Sequence, residues 1–347
     1  MKRVREFVWI PRIAVAVLSV FCVGNATAHQ VLWQTNSAGD DVHIIDAEEF
    51  RVIRRLVVGP QPHGIAAPDD GRVVYLSLEA NADERGELLW VDPRTYEIVS
   101  RLQVGREPHA IATTPDGRWV YVPCRDGHYW VVDALERRVV EKIRTGGRPH
   151  NTQASRDGRF MYLSPMGRPE KVTIVDVQAG HRVVGELPFA ASVRPSALAA
   201  DNARFYQHID GLNGFQVADI SSRSVVATVV HERQLGWFSL GAVGWLSTKG
   251  FQRCHGLAIR PDQREIWSAC GSALNIHDLT APHLRELASI ELPANAYWLT
   301  FSPDSRHAFV TLSWSDQVAV VDTASRSVVH TIDVGRYPKR NLVLDLN

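Results

Sequence analysis

A repeated unit constrains this chain more than any other feature. Four copies align without gaps, and each opens with a histidine. These copies are His63-Gly64-Ile65-Ala66, His109-Ala110-Ile111-Ala112, His150-Asn151-Thr152-Gln153 and His255-Gly256-Leu257-Ala258. Three degenerate copies start at Ser196, Tyr297 and Lys339. Four short strands in each period of about 40–50 residues are typical of a β-propeller blade, so the seven starts predict seven blades.

An aspartate ends or directly follows an apolar, β-rich run once in every unit. The seven are Asp46, Asp92, Asp133, Asp176, Asp219, Asp278 and Asp322. An Asp side chain accepts hydrogen bonds from backbone N–H groups just beyond it and so favours a turn. We therefore expect these residues to begin the turn between the third and fourth strands of each blade, rather than to act as catalytic carboxylates.

The two ends of the repeat array complete one another. The last unit, from Lys339 to Leu346, contains one strand, whereas residues 29–59 contain three. Pairing the C-terminal strand with the N-terminal strands closes the ring and leaves no open sheet edge. The sequence therefore predicts an all-β fold, a seven-bladed β-propeller in which residues 29–347 form a single domain.

One segment carries a family resemblance. From Val104 to Val122 the chain reads Val-Gly-x-x-Pro-His-x-Ile-Ala-x-x-Pro-Asp-Gly-Arg-x-Val-Tyr-Val, which resembles the YVTN-type β-propeller repeat. The resemblance implies an exported propeller. It leaves the function open, because YVTN-like propellers include surface proteins, lactonase-like enzymes and parts of haem and quinone oxidoreductases.

The first 28 residues have the features of a secretory signal peptide. A basic stretch at residues 2–12 precedes an apolar run from Ile13 to Val23, and Ala26-Thr27-Ala28 supplies a small-x-small cleavage pattern. We expect cleavage before His29 and a periplasmic or secreted, monomeric protein without a membrane span. The 38 Lys and Arg residues balance 38 Asp and Glu residues, which disfavours nucleic acid as a partner.

The first residue of each innermost strand is expected at one mouth of the central channel. The seven units place His63, His109, His150, Ser196, His255, Tyr297 and Lys339 there. Four imidazoles suit copper or zinc, and the lack of Asp or Glu in this set disfavours calcium or magnesium. The alternative is that a histidine after proline fills this position structurally, in which case repeat duplication explains all four.

The same mouth could instead hold a small-molecule or anionic ligand. Arginines precede the channel position in four loops, at Arg106, Arg148, Arg194 and Arg253. The candidate ligand-binding residues are Asn151, Ser196, Tyr297, Trp298, Lys339 and Arg340. A long connection at residues 231–254 carries Trp237, Phe238 and Trp245. We expect it to be a lid over the mouth, with a packed excursion as the alternative.

Three cysteines remain after signal cleavage, Cys124, Cys254 and Cys270, and their disulfide state stays open. A bond between Cys124 and Cys270 conflicts with their positions in non-neighbouring blades. Cys254 precedes a channel histidine and could be a soft metal ligand, but we expect it to be a small buried residue.

Three functions are compatible with the sequence. The first is an exported propeller that binds a small ligand or a metal ion, copper or zinc, as an oxidoreductase or a redox accessory protein. The others are a metal-free module for a periplasmic protein partner, and a lyase or lactonase-like hydrolase with a histidine general base. The chain contains no Gly-rich nucleotide loop and no Cys-x-x-Cys-His motif, so neither nucleotide nor covalent haem is expected. Enzyme status stays open.

Overall fold

Seven four-stranded antiparallel sheets form a ring in the computed structural model, which describes residues 29–80, 84–231 and 254–346. The predicted seven-bladed β-propeller is confirmed. We number the blades I to VII in chain order and give the strands of each from the channel outwards. The innermost strands of neighbouring blades contact one another around the whole circle, so the blades surround a central axis.

Blade I holds β28 (Pro338–Leu346), β1 (His29–Asn36), β2 (Asp41–Asp46) and β3 (Arg51–Val57), with a 3-10 turn, η1 (Ser37–Gly39), after β1. Blade II holds β4 (Pro62–Ala66), β5 (Val74–Leu78), β6 (Arg85–Val91) and β7 (Ile98–Arg106). Blade III holds β8 (Ala112–Thr113), β9 (Trp119–Cys124), β10 (His128–Asp133) and β11 (Arg138–Ile143). Blade IV holds β12 (Arg148–Ala154), β13 (Phe160–Met166), β14 (Lys171–Asp176) and β15 (Arg182–Pro188).

Blade V holds β16 (Val193–Leu198), β17 (Arg204–Ile209), β18 (Gly214–Asp219) and β19 (Ser224–Val230). Blade VI holds β20 (Cys254–Ile259), β21 (Glu265–Cys270), β22 (Ala273–Asp278) and β23 (Glu286–Glu291). Blade VII holds β24 (Trp298–Phe301), β25 (His307–Leu312), β26 (Gln317–Asp322) and β27 (Ser327–Asp333).

The C-terminal strand closes the ring as predicted. β28 pairs antiparallel with β1, and His29 lies opposite Leu346 at one end of the register. Residues from the two ends of the chain therefore share one sheet, with the C-terminal strand innermost. Because β28 pairs with β1, neither end of the repeat array is left as an incomplete blade with an open edge.

Apolar side chains fill the spaces between neighbouring blades. The described residues form seven buried clusters, and each cluster draws its members from two adjacent blades. Middle strands are packed on both faces, so β5 is buried along its whole length. Outermost strands face solvent, and β3 is almost entirely exposed. This difference explains why middle strands read as apolar runs and outer strands as mixed ones.

All seven aspartates occupy the predicted turns. Each accepts a hydrogen bond from a backbone N–H two or three residues further along, between the third and fourth strands of its blade. In Blade III, for example, Asp133 Oδ1 accepts from the N–H groups of Leu135 and Glu136. Their structural role is thereby confirmed.

One disulfide, between Cys254 and Cys270, joins the two inner strands of Blade VI. Cys254 is buried as expected, and because its sulfur is bonded to that of Cys270 it is not a thiolate ligand. Pairing brings the two residues directly opposite each other in adjacent strands, a relation that the repeat alignment did not test. Cys124 is a buried free cysteine.

Two predicted segments lie outside the described residues. They are the signal peptide, residues 1–28, and the lid residues Trp237, Phe238 and Trp245. Within the described ranges, no helix has the length and apolar character needed to cross a bilayer.

Candidate functional site

Five aromatic rings form a circle at one mouth of the channel. In order around the axis they are His63, His109, His150, His255 and Tyr297. Neighbouring ring centroids lie 3.7, 4.2, 6.1, 3.9 and 6.3 Å apart, the last distance returning from Tyr297 to His63. Each residue lies at or just before the start of an innermost strand. The structure thus brings the four predicted histidines and Tyr297 together.

The close approach of two inner strands depends on a glycine. A Cβ on Gly64 would lie 2.3 Å from the carbonyl oxygen of His109 and 2.9 Å from the backbone nitrogen of Ile111. A side chain at this position would therefore overlap the backbone that leads into β8. Without one, β4 lies close enough for the rings of His63 and His109 to touch.

A carboxylate also reaches the circle. Glu79 follows β5, and its Oε1 lies 2.9 Å from His63 Nδ1 and 3.7 Å from His109 Nε2. The contact with His63 lacks hydrogen-bond geometry, and His109 Nδ1 has no hydrogen-bond partner among the described residues. Ligand atoms of all three lie within 4.8 Å of one another.

The expectation of a mouth without carboxylates was therefore wrong. Sequence reasoning compared only the starts of the innermost strands, whereas Glu79 comes from the loop after a second strand. That loop opens on the same face of the propeller. A sequence signal was present, because Cys124 and Cys270 end the second strands of their blades, and Glu79 lies one residue beyond the equivalent point of Blade II.

Two hydrogen bonds fix the ring nitrogens of His150 and His255. Arg340 Nη2 donates to Asn151 Oδ1 at 2.6 Å. The Asn151 amide nitrogen therefore faces His150 Nδ1, 2.6 Å away, so Nδ1 accepts and Nε2 carries the proton. His255 Nδ1 donates to the carbonyl oxygen of Tyr297 at 2.9 Å. This leaves His255 Nε2 free to accept a ligand, whereas His150 presents a donor to the channel.

Two cations lie beside the rings. Lys339 Nζ is 4.4 Å from the ring centroid of Tyr297 and 4.3 Å from that of Tyr337. The Arg340 guanidinium carbon is 3.7 Å from the ring centroid of Trp298. Within the described ranges, no carboxylate lies within 4.0 Å of either cation. Aromatic faces therefore stabilise charges that carboxylates usually balance.

Burial controls the charge states at the mouth. It lowers the pKa of all four imidazoles well below the ordinary histidine value, and the nearby cations and imidazoles lower it further. Burial raises the pKa of Glu79 to about 7, against the opposing effects of Lys339, Arg125 and Arg340. It also lowers the pKa of Lys339 to about 8. Neutral imidazoles beside a carboxylate are the protonation state that metal binding requires.

The other ligand candidates lie one residue deeper in the channel. Asn151, Ser196, Trp298 and Arg340 line an axial cavity of about 490 Å³ enclosed by the innermost strands. The assignment of Ser196 to the mouth circle was wrong by one residue, since it lies opposite Gln207 where Asn151 lies opposite Ser164. The two strands of this Blade V hairpin have six residues each, against seven each in Blade IV, so spacing from the following turn does not give the start of the unit.

A second histidine cluster was not predicted. His208 Nε2 and His231 Nε2 both contact Ser268 Oγ, at 2.8 and 2.9 Å, and His231 Nδ1 lies 3.0 Å from His277 Nε2. All four residues are buried between Blades V and VI. Burial lowers the pKa of His208 and of His231 to about 3. No repeat position connects these residues, and the pattern therefore gave no signal for them.

Comparison with known proteins supports the fold and adds one family match. A family model described as the cytochrome D1 heme domain matches residues 82–188, less than a third of the chain. No curated protein matches. The YVTN family remains a resemblance carried by the repeat sequence.

Solved structures of similar proteins share the fold at low identity. Hydrazine synthase of Kuenenia stuttgartiensis is 17% identical with a TM-score of 0.66, covering 80% of this chain and 87% of that one. Dihydro-heme d1 dehydrogenase NirN in complex with DHE is 18% identical with a TM-score of 0.63, covering 87% of this chain and 63% of that one. A functionally unknown protein from Desulfotomaculum acetoxidans is 9% identical with a TM-score of 0.75, covering 91% and 99%.

The rings of His63, His109 and His150 follow one another at 3.7 and 4.2 Å. This spacing leaves no room for a macrocycle between these three rings.

Proposed function

We propose that the chain is an exported β-propeller that binds copper or zinc at the channel mouth through His63, Glu79 and His109, and that it acts as a redox accessory protein. One observation carries the proposal. Ligand atoms of two buried histidines and one half-buried glutamate, from two blades, lie within 4.8 Å of one another, and the Nδ1 atoms of His63 and His109 make no hydrogen bond to any described residue.

The spacing of these atoms suits a transition metal. Metal–nitrogen distances of about 2.0–2.1 Å place neighbouring ligand atoms of a tetrahedron about 3.3–3.4 Å apart. The distances from Glu79 Oε1, 2.9 and 3.7 Å, lie on either side of that value. His255, whose Nδ1 donates to a carbonyl and whose Nε2 therefore accepts, is not part of this group of three. The hydrogen bond from Asn151 removes His150 from the set that the sequence predicted.

Charge balance explains the role of the carboxylate. Lys339 and Arg340 make the mouth positive, and positive potential opposes a metal cation. Glu79 supplies the negative charge that offsets this opposition, and metal binding would favour its ionised form. A His-only site would lack that compensation.

The comparisons support a redox role, and the predicted signal peptide supports a location outside the cytoplasm. The family match names a heme domain and one similar structure is a dehydrogenase, so related propellers serve redox proteins. The signal sequence supports export to the periplasm. Copper bound at this mouth would supply one-electron chemistry, whereas zinc would supply a Lewis acid.

Metal content tests the proposal. We would express the full chain with its signal, purify the exported protein without chelators, and measure copper, zinc and iron per chain. We expect about one equivalent of copper or zinc, reduced at least tenfold in H109A and E79Q. H330A, which alters an exposed histidine of an outer strand, is the matched control. A folded wild type without metal, or an H109A variant that keeps the full equivalent of metal, would refute the metal site. The remaining functions would then be the metal-free interaction module and the lyase or lactonase-like hydrolase.

A further inference from the structure

The axial cavity begins directly below the mouth circle and has a mixed lining. Its upper part carries Asn151, Ser196, Trp298 and Arg340. Further down, its lining mixes apolar residues such as Ile65 and Ile111 with polar residues such as Thr152, Gln153 and Arg156. Its volume of about 490 Å³ is in the range of sites that hold small organic molecules.

Arg340 is a buried cation in need of an anion. Its side chain is 5% exposed, and it is held by Trp298 on one face and by Asn151 Oδ1 at one terminal nitrogen. Its Nε has no hydrogen-bond partner among the described residues. A buried guanidinium without a paired carboxylate is costly. A guanidinium buried beside a cavity is explained if an anion bound in the cavity accepts its remaining hydrogen bonds.

Two further features favour an anion at the same place. Ser196 Oγ is buried and has no hydrogen-bond partner within the described ranges, so a hydroxyl donor is available in the same cavity. Lys339 adds a second, half-buried positive charge at the mouth. Glu79 contacts the histidines rather than either cation, so no carboxylate of the described residues pairs with either charge.

The geometry points to a small organic carboxylate as the ligand of this cavity. We propose that its carboxylate accepts hydrogen bonds from Arg340 and Ser196 and that its organic body occupies the remaining volume of the cavity, beside Ile65 and Ile111. A neutral ligand would leave Arg340 unpaired. The inference goes beyond the proposed metal site, since it uses different residues and needs no metal.

Calorimetric titration of the chelator-treated protein tests this inference, with octanoate as the probe. We expect one octanoate per chain, bound at least tenfold more tightly than octanol or inorganic phosphate. R340Q should weaken octanoate binding at least tenfold and leave octanol binding unchanged. R118Q alters an exposed arginine just before β9 of Blade III, and this control variant should bind octanoate like the wild type. Raising the salt concentration should weaken the binding of octanoate but not that of the neutral octanol.

Several outcomes would overturn the inference. If octanoate bound no more tightly than octanol, the cavity would not recognise a carboxylate. If phosphate bound as tightly as octanoate, the site would be one for an inorganic anion only. S196A guards against a misfolded R340Q, because a small serine-to-alanine change should fold and still weaken octanoate severalfold. All titrations use metal-free protein, so failure of the metal site would leave these results intact, and the reverse also holds.

Discussion

Asn151 lies between a cation and an imidazole, and its amide decides which nitrogen of His150 carries the proton. Arginine can only donate, so the amide oxygen faces Arg340 and the amide nitrogen faces His150. The three residues link the axial cavity to the mouth circle by two hydrogen bonds. A ligand that draws on Arg340 would therefore act on His150 through one side chain.

Replacing Asn151 by aspartate should reverse this arrangement. A carboxylate accepts only, so His150 would have to donate from Nδ1, which moves the proton from Nε2 and frees that nitrogen. Arg340 would gain a carboxylate partner, and octanoate binding should weaken at least tenfold. Proton–nitrogen NMR of the imidazoles reads the tautomer directly. N202D, on the opposite face of Blade V, should leave it unchanged, and an unaltered His150 tautomer in N151D would contradict the assigned amide orientation.

Gly64 is the second position where one atom matters. G64A should lower the free energy of unfolding by about 1–3 kcal/mol, because the new Cβ meets backbone atoms that cannot rotate away. Urea denaturation measures the change. Ala110 already carries a Cβ at the equivalent position of Blade III, so A110G should cost no more than about 1 kcal/mol. Equal stability of G64A and wild type would show that the two strands can separate freely.

At the scale of single elements, the Cys254–Cys270 disulfide fastens β20 to β21 where the chain enters Blade VI. It closes a loop with a sequence separation of 16, and cross-links of about that length contribute about 3 kcal/mol by restricting the unfolded chain. It thereby secures the strand that carries His255 into the mouth.

Reduction should therefore destabilise the protein. We expect a reducing agent, or the C254S/C270S double variant, to lower the free energy of unfolding by about 3 kcal/mol in urea titrations. C124A, which removes the buried free thiol, should respond to the reductant as wild type does. A thiol assay on unfolded, unreduced mature protein should detect one reactive cysteine. Three would contradict the pairing.

The elements themselves were largely predictable from the repeat. A unit copied seven times carries its turn aspartates and apolar runs with it, and both report local structure. Ser196 was placed one residue off because a shortened hairpin changes register without changing the pattern. Glu79 and the His208 cluster were missed because they meet other residues through the closing of the ring, and spacing along the chain does not record which loops share a face.

At the scale of the whole molecule, the radial arrangement creates buried polar groups as well as apolar ones. Seven blades converge on one axis, so side chains at equivalent positions crowd together away from water. Repetition supplies the histidines, and convergence takes them out of solvent and keeps them neutral. Burial keeps six histidines neutral, four of them at the mouth through this convergence and two through packing between Blades V and VI: His63, His109, His150, His255, His208 and His231.

Stability of the metal-free protein should therefore fall as the pH drops from 7 to 5. Burial lowers the pKa of these six histidines in the folded state, so below about 6.5 the unfolded chain binds protons that the folded one does not. Each such histidine contributes a slope approaching about 1.4 kcal/mol per pH unit. Glu79 has the opposite sign, because its raised pKa of about 7 lets the folded state hold a proton the unfolded chain has lost.

The effect of one carboxyl group is smaller than that of six imidazoles, so the net free energy of unfolding should fall as the pH is lowered. Urea denaturation at intervals between pH 5 and 7, in the presence of a chelator, measures it. H208N should reduce the slope by about one proton, since it removes one buried imidazole that is not a member of the mouth circle. H330A, which alters an exposed histidine, should leave the slope as it is. A free energy of unfolding that stays level over this range would mean that the histidines accept protons in the folded state, and the neutral ring of ligands at the mouth would no longer hold.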